Sequence, residues 1–364
     1  MKRLGILLFS LGLFFIKGWA AEWQWSVPVS KVIASETGGH PQAFLWIPED
    51  CMQVRAVMIG THNMCEETLF ENELFRRGMK EAGVALIWIT PGWDQQWKAD
   101  SGSPEAYWQM LDDLAETSGY GELKFTPIIP IGHSAMATYP WNFAAWHPER
   151  TLAVVSYHGD APRTNLTGYG RENLEWGRMR NIDGIPGLMV EGEYEWWEAR
   201  VNPALAFRMM YPESCISFLC DAGRGHFDVS DRTAEYIALF VKKALQARLP
   251  DTVARDRPVA LRKVRPQDGW LAERWHPVQP RRAKPAPYAK YKGDVHDAFW
   301  YFDREMAEAL CPRERERNAV SGSGTGGAVG TLQSPVACQG QSAFPSGSRW
   351  RDVPLESRLH GQPS

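Results

Sequence analysis

Short apolar runs recur at wide intervals between residues 43 and 220, and they constrain the fold more than any other feature. They are rich in β-branched and aromatic residues, and several contain almost no polar residue. The runs are residues 43–48, 56–60, 85–90, 127–132, 152–159, 187–192 and 215–220. Continuous apolar runs of this length are typical of parallel strands that are buried on both faces of a sheet.

Helical patterns lie between these runs, at residues 66–82, 104–118 and 228–247. Strands that alternate with helices are connected by right-handed crossovers, which place helices on both faces of one sheet. The sequence therefore predicts an α/β fold with a doubly wound, mostly parallel sheet. The run at 24–28 is close enough to the run at 43–48 for the two to form an antiparallel edge.

The amino terminus has the composition of a signal peptide. Two basic residues precede the apolar run 4–16, and small residues precede a cleavage site after residue 20. Thirteen apolar residues are too few to span a bilayer as a stable helix. We therefore expect residues 1–20 to be removed and the protein to be secreted or periplasmic, with no stable membrane insertion; a retained anchor is the alternative.

The composition changes twice after the last apolar run. Residues 21–250 are predicted to form the main domain, and residues 251–310 a C-terminal extension packed on it. Within the extension, residues 294–310 have the pattern of one helix with an aromatic face. Residues 311–364 are rich in Gly, Ser, Gln and Pro and bury too little apolar surface to fold, so this tail is predicted to be disordered.

The charge of the main domain makes nucleic acid an improbable partner. The whole chain has a formal net charge of −3, but residues 21–247 contain 18 Lys and Arg against 30 Asp and Glu, a net charge of −12. Binding to phosphates needs clustered Lys and Arg. The spacing of the six cysteines matches no metal motif, and no dinucleotide-binding glycine pattern follows a strand, so neither a metal nor a cofactor is predicted. Disulfide pairing is left open.

The stretch "PIIPIGHSAMATYP" (residues 127–140) predicts a strand that ends at Gly132 and a helix that begins near Ala135. Ser134 then lies on the corner, at the carboxyl end of a strand, where open α/β sheets bind their ligands. The amide of Ala135 is placed to stabilise an oxyanion. A serine needs a base to become a nucleophile, and His226 lies between the last strand and the last helix. A serine that merely caps the helix is the alternative.

These residues resemble a known family. "IPIGHSAM", followed far downstream by "GRGHFD", resembles the α/β-hydrolase fold, in particular bacterial secreted serine esterases and dienelactone-hydrolase-like proteins, over roughly residues 40–247. The resemblance implies that Ser134 is the nucleophile and His226 the general base. The family's elbow is Gly-x-Ser-x-Gly, and here Met136 stands at the last position. A bulky methionine predicts local packing that differs from the family's.

The resemblance also implies a third member of the triad after the strand at 187–192. The family has Asp three residues after the strand's glycine, and Glu195 stands there. Glu193 and Glu191 are nearby alternatives, with Glu191 inside the strand run. Asp160 is a further alternative, because some hydrolases of this fold place the acid one strand earlier.

The second oxyanion donor is expected in the loop that follows the run at 56–60. There the resemblance points to the backbone N–H of Asn63 or Met64. Glu66 and Glu67 are interpreted as favourable charges in the first turn of the next helix.

Tryptophans are frequent, 17 in all, and Trp93, Trp97 and Trp197 fall just beyond predicted strand ends. Flat aromatic faces suit sugar rings, although core packing is the alternative. Residues 160–184 lie where this fold has a lid, and Arg163 in this lid-like insertion is a candidate partner for a substrate carboxylate. A solvated surface is the alternative.

Three functions fit this sequence. The first is a secreted serine hydrolase that cleaves carboxylic esters through an acyl-enzyme, with polysaccharide-linked esters as candidate substrates. The second is a serine peptidase of the same fold. The third is a non-catalytic binding protein on a hydrolase scaffold. Fold alone does not distinguish them.

Overall fold

The computed structural model describes residues 23–165, 172, 174–277 and 279–309. The predicted signal peptide (residues 1–20) and the predicted disordered tail (residues 311–364) lie outside this part of the chain. So do residues 166–171 and 173 of the lid-like insertion.

The main sheet has eight strands in the order β1-β2-β4-β3-β5-β6-β7-β8. The antiparallel edge that the sequence predicts is confirmed, since β2 pairs antiparallel with β1 and with β4. The remaining strands are parallel, as predicted. The strands are β1 (Trp25–Pro28), β2 (Gln42–Trp46), β3 (Ala56–Thr61), β4 (Val84–Thr90), β5 (Ile128–His133), β6 (Val154–Tyr157), β7 (Pro186–Gly192) and β8 (Cys215–Asp221).

Helices cover both faces of this sheet. Side chains of β3 alternate between two apolar clusters: Met58 packs into the cluster that contains α2 and α6 residues, and Val57 and Ile59 pack into the cluster that contains α3 residues. This alternation follows from the two-residue period of a strand. The helices of the main domain are α1 (Glu66–Glu71), α2 (Glu73–Ala82), α3 (Ser103–Ser118), α4 (Tyr139–Trp146), α5 (Glu198–Met210) and α6 (Asp231–Arg248).

The helix predicted over residues 66–82 is interrupted at Asn72. This residue has an extended backbone, with φ −63° and ψ 127°, and its side-chain oxygen accepts the N–H of Phe75. Asn72 thus ends α1 and caps α2. Sequence periodicity alone gives no sign of this break, because the apolar spacing continues across it.

The C-terminal extension forms a second, antiparallel sheet of three strands, which corrects the helix predicted over residues 294–310. Only a short helix at its end, α7 (Arg304–Glu308), is found there. All four residues of β11 are buried, so the aromatic run packs as a strand. The strands are β9 (Trp270–Glu273), β10 (Ala286–Pro287) and β11 (Ala298–Tyr301), in the order β10-β9-β11.

Hydrogen bonds join the extension to the main sheet at β8. The hydroxyl of Ser217 donates to the carbonyl of Trp300 at 2.6 Å, and the hydroxyl of Tyr301 donates to the carbonyl of Phe218 at 2.9 Å. The extension therefore covers the β8 side of the sheet.

Cys51, Cys65 and Cys215 are free thiols in the described ranges. In the same ranges, no helix combines the length and the apolar character that crossing a bilayer requires.

We expect Asn72→Ala to lower the free energy of unfolding by about 1 kcal/mol, because it removes the acceptor that caps α2. Asn72→Ser is the matched control, since serine is also a good N-cap, and it should recover most of the loss. Urea unfolding of the three proteins gives the comparison. Equal stability of the alanine and serine variants would contradict the capping role.

Candidate active site

Ser134 lies at a sharp turn between β5 and α4. Its φ is +50°, a left-handed conformation that non-glycine residues seldom adopt. Residues 134–136 form one turn of 3₁₀ helix directly after the strand. Gly132 makes the turn possible, because a Cβ atom there would lie 2.0 Å from the carbonyl oxygen of Met136. The chain thus places the serine directly after the carboxyl end of β5.

Met136, the departure from the family's elbow, points its side chain toward the loop after β4. A Cβ atom on Gly92 would lie only 2.4 Å from the Met136 methyl carbon. A close approach of two backbone segments falls one residue later, where a Cβ atom on Gly159, in the loop after β6, would lie 1.9 Å from that of Ala137. The bulk of the methionine is therefore accommodated by a glycine in a neighbouring loop.

His226 lies between Ser134 and Glu195. Its Nε2 is 2.8 Å from the Ser134 hydroxyl oxygen, and its Nδ1 is hydrogen-bonded to Oε2 of Glu195. Ser134 follows β5, Glu195 ends the 3₁₀ turn after β7, and His226 lies in the loop between β8 and α6. Three loops at the carboxyl edge of the sheet therefore bring together residues that are up to 92 positions apart.

The other candidate acids have different partners. Glu193 accepts the N–H of Gly223 at 2.8 Å, and Glu191 pairs with Arg200 at 3.4 Å. Asp160 is fully buried, and its Oδ2 lies 3.4 Å from the Thr138 hydroxyl. Among the four acids that the sequence offers, Glu195 is the one that bonds to His226 through its carboxylate.

The Glu195 carboxylate collects further donors. The N–H of Gly192 donates to its Oε1 at 3.0 Å, and Arg200 lies 3.2 Å from its Oε2. His158 also bonds to Oε1 through its Nδ1. Hydrogen bonds of this kind favour the ionised carboxylate, which is the form that orients and stabilises a histidine base.

Arg200 and His158 are contacts that the sequence analysis did not anticipate. The position of His158 could have indicated its contact with the site, because it directly follows β6 at the carboxyl edge of the sheet, two residues before the candidate Asp160. Arg200 gave no such signal, because its position in α5 does not reveal which way its side chain points.

The environment of His226 keeps the ring neutral. Burial lowers the pKa of His226 to about 4, and the positive charge of Arg200 acts in the same direction. A neutral ring whose Nδ1–H donates to Glu195 leaves Nε2 as an acceptor for the Ser134 proton.

The two backbone N–H groups predicted as second oxyanion donors already donate to another side chain. The N–H groups of Asn63 and Met64 both donate to Oε2 of Glu66, at 3.0 and 3.1 Å. The prediction that either amide faces the crevice as an oxyanion donor is therefore corrected. Ala135 lies in the 3₁₀ turn directly after the serine, and its role as an oxyanion donor stays a prediction.

Glu66 is not the solvated first-turn charge that the sequence suggested. It is buried, and its Oε1 accepts the N–H of His133 at 2.8 Å. Burial raises the pKa of Glu66 to about 7, although four backbone N–H donors oppose the rise. One carboxyl group therefore ties the loop after β3 to the end of β5.

His133 anchors the loop that contains His226. Its Nε2 donates to the carbonyl of His226 at 2.8 Å, and its Nδ1 accepts from the Asn63 amide at 3.2 Å. Burial lowers the pKa of His133 to about 3, which keeps the ring neutral. A neutral ring can donate through Nε2 and accept through Nδ1 at the same time.

The predicted substrate-binding residues have three different outcomes. Trp97 is only 2% exposed, and its ring packs 4.8 Å from Tyr107 and 4.9 Å from Phe143, so its predicted place in a ligand platform is wrong. Trp93 is partly buried. Trp197 is 40% exposed, and the guanidinium carbon of Arg200 lies 4.8 Å from its ring centre.

Arg163 is engaged by the protein. It donates to the Tyr211 hydroxyl and lies 3.6 Å from the Glu175 carboxylate. Because its guanidinium group already has these two partners, Arg163 is not free to bind a substrate carboxylate as predicted.

One group in the described part of the chain has the spacing of metal ligands. Donor atoms of His158, Glu195 and His226 lie within 4.8 Å of one another. The Nδ1 atoms of both imidazoles are hydrogen-bonded to the carboxylate between them. Hydrogen bonding thus accounts for the cluster.

The strand order decides the fold. An eight-stranded sheet in the order 1-2-4-3-5-6-7-8, with strand 2 antiparallel and a sharp turn after strand 5, is the arrangement of the α/β-hydrolase fold. The chain has the α/β-hydrolase fold. No protein-family model and no curated protein matches this chain.

Solved structures resemble the α/β-hydrolase chain at low identity. FphF of Staphylococcus aureus, a fluorophosphonate-binding serine hydrolase, is 12% identical, with a TM-score of 0.40 over 60% of this chain and 97% of its own. The enterobactin esterase FES of Shigella flexneri is 12% identical, with a TM-score of 0.41 over 59% and 57%. The siderophore hydrolase EstA of Aspergillus nidulans is 14% identical, with a TM-score of 0.40 over 66% and 99%.

We expect the His226 ring to titrate below the free-histidine value of about 6.5. Arg200→Met should raise its midpoint, because removing a nearby positive charge favours the protonated ring. NMR titration of the imidazole measures both values. Arg265→Met, which removes an exposed arginine paired with Asp268, is the control and should leave the midpoint unchanged. An unchanged midpoint in Arg200→Met would contradict the electrostatic role of Arg200.

Proposed function

We propose that this α/β-hydrolase chain is a serine hydrolase that cleaves carboxylic esters through an acyl-enzyme on Ser134. The observation that supports it most is the chain of hydrogen bonds from the Ser134 hydroxyl through His226 to Glu195. A binding protein has no need for a neutral base held between a strained serine and a carboxylate. The geometry therefore favours an enzyme over the non-catalytic alternative.

The proposed reaction has two halves. Ser134 Oγ attacks the ester carbonyl carbon while its proton passes to His226 Nε2, and the Ala135 N–H stabilises the oxyanion. Collapse of the tetrahedral intermediate breaks the ester C–O bond, and His226 returns the proton to the leaving alcohol. Water then attacks the acyl-enzyme by the same route, which releases the acid and restores the Ser134 hydroxyl. Glu195 stays ionised and stabilises the imidazolium in both halves.

Export is part of the proposal and rests on residues 1–20 alone. A protein that acts outside the cytoplasm meets polymeric substrates, so we propose polysaccharide-linked esters as the substrate class. Trp197 supports this choice, because it is 40% exposed and lies two residues beyond Glu195. Flat aromatic faces of this kind pack well against sugar rings. The peptidase of the same fold is the competing hypothesis, since it uses the same triad.

Ser134→Ala should lower kcat by roughly 10⁶, as removal of a triad nucleophile does, while the thermal unfolding midpoint changes little. A fluorophosphonate probe should modify the wild type at Ser134 and leave the variant unlabelled. Mass spectrometry of the labelled peptide identifies the site. A panel of p-nitrophenyl esters and peptide amides then separates esterase from peptidase. Labelling at another serine, or retained turnover in the variant, would refute the assignment.

Trp197→Ala should raise KM for an acylated oligosaccharide several-fold and leave kcat nearly unchanged, because the ring is expected to bind ground and transition states equally. Hydrolysis of p-nitrophenyl acetate, which has no sugar, should be unaffected. Trp25→Ala, on the edge strand β1, is the control and should change neither substrate's kinetics. Equal losses on both substrates in Trp197→Ala would mean that Trp197 only supports the local structure.

A further inference from the structure

His158 is a fully buried histidine directly after β6, outside the proposed triad. Its backbone N–H donates to the carbonyl of Val190 at 2.8 Å, which continues the pairing of β6 with β7. Its φ is +50°, a conformation that costs free energy for a non-glycine residue. A buried polar ring in a strained backbone suggests a function beyond packing.

The side chain of His158 reaches the same carboxylate as the general base. Its Nδ1 bonds to Oε1 of Glu195, while the Nδ1 of His226 bonds to Oε2. The two imidazole rings lie 5.8 Å apart, on either side of one carboxyl group. Each ring therefore occupies one oxygen of Glu195.

Arg200 competes for this carboxylate. Its Nη1 lies 3.2 Å from Oε2 of Glu195, the oxygen that His226 uses, and 3.4 Å from Oε1 of Glu191. An arginine and a carboxylate prefer a two-pronged pairing, which would turn Glu195 away from His226. The donors on Oε1, from Gly192 and His158, oppose this rotation.

We propose that His158 is a positioning residue, which holds Oε1 of Glu195 so that Oε2 stays directed at His226. This inference rests on the proposed hydrolase function. His158 touches no reacting atom in this scheme and acts only through Glu195. Its required form is the neutral ring with the proton on Nδ1, because the carboxylate offers only acceptors.

The surroundings of His158 favour this neutral form. Burial lowers its pKa well below the free value, and the nearby His133, His226 and Arg200 act in the same direction, whereas the backbone carbonyl of Asp228 opposes them more weakly. Tyr157 also packs against the ring, with centroids 4.3 Å apart. A neutral ring carries one proton, and the bond to Glu195 fixes it on Nδ1.

A matched pair of substitutions tests which ring nitrogen matters. The side-chain amide of asparagine places a donor near the Nδ1 position, and that of glutamine places it near the Nε2 position. We expect His158→Asn to keep fluorophosphonate labelling of Ser134 within about tenfold of the wild type. His158→Gln should lose roughly 10²-fold or more in labelling rate and in kcat, and less than the ~10⁴-fold that mutation of a triad acid costs. KM should change little in both variants.

A double-mutant cycle tests whether His158 acts through Glu195. His158→Gly is suited to this cycle, because glycine accepts a φ of +50° without strain. It should slow labelling strongly when Glu195 is present and only slightly when Glu195→Gln is already made. Thermal unfolding midpoints of all variants show whether each protein is folded.

The outcomes separate the two proposals. Labelling of the wild type at Ser134, with equal losses from His158→Gly in both backgrounds, would overturn the positioning role and leave the hydrolase proposal intact. Equal labelling rates in the asparagine and glutamine variants would do the same. A folded wild type that is not labelled would overturn the hydrolase proposal and this inference with it.

Discussion

The sharp turn at Ser134 is the constraint on which the rest of the site depends. The end of β5 and the turn after it lie so close together that position 132 has no space for a side chain beside the Met136 carbonyl, so a glycine is needed there. The turn presents the hydroxyl at the carboxyl edge of the parallel sheet, where loops from several strands meet. There the histidine that follows β8 reaches the serine, and the glutamate that follows β7 reaches that histidine.

Two acidic side chains then hold the loops around this turn. Glu66 gathers three backbone N–H groups from the β3 loop and from the end of β5. Glu195 gathers donors from Gly192, Arg200 and two histidines. Burying a carboxylate costs free energy unless its oxygens are hydrogen-bonded. Each acid therefore fixes the loops whose groups donate to it.

Some features were predictable because they are local. The buried strands, the antiparallel edge, the strand–turn–helix around Ser134 and the late histidine are encoded in short stretches of sequence. The break at Asn72 and the strand at Ala298–Tyr301 were not predicted, because apolar spacing does not distinguish one helix from two, or an aromatic strand from an aromatic helix face. Trp97 looked like a crevice residue from its place after a strand, yet Tyr107 and Phe143 enclose it.

The sequence by itself determined the fold class, the position of the serine elbow and the candidates for its base and acid, because hydrophobic period and glycine placement act over a few residues. The tertiary structure decided which of four acids meets His226, and it turned the Asn63 and Met64 amides toward Glu66. It also brought His158 and Arg200 to Glu195. Those outcomes depend on the directions of side chains from separate loops, which only the packed sheet fixes.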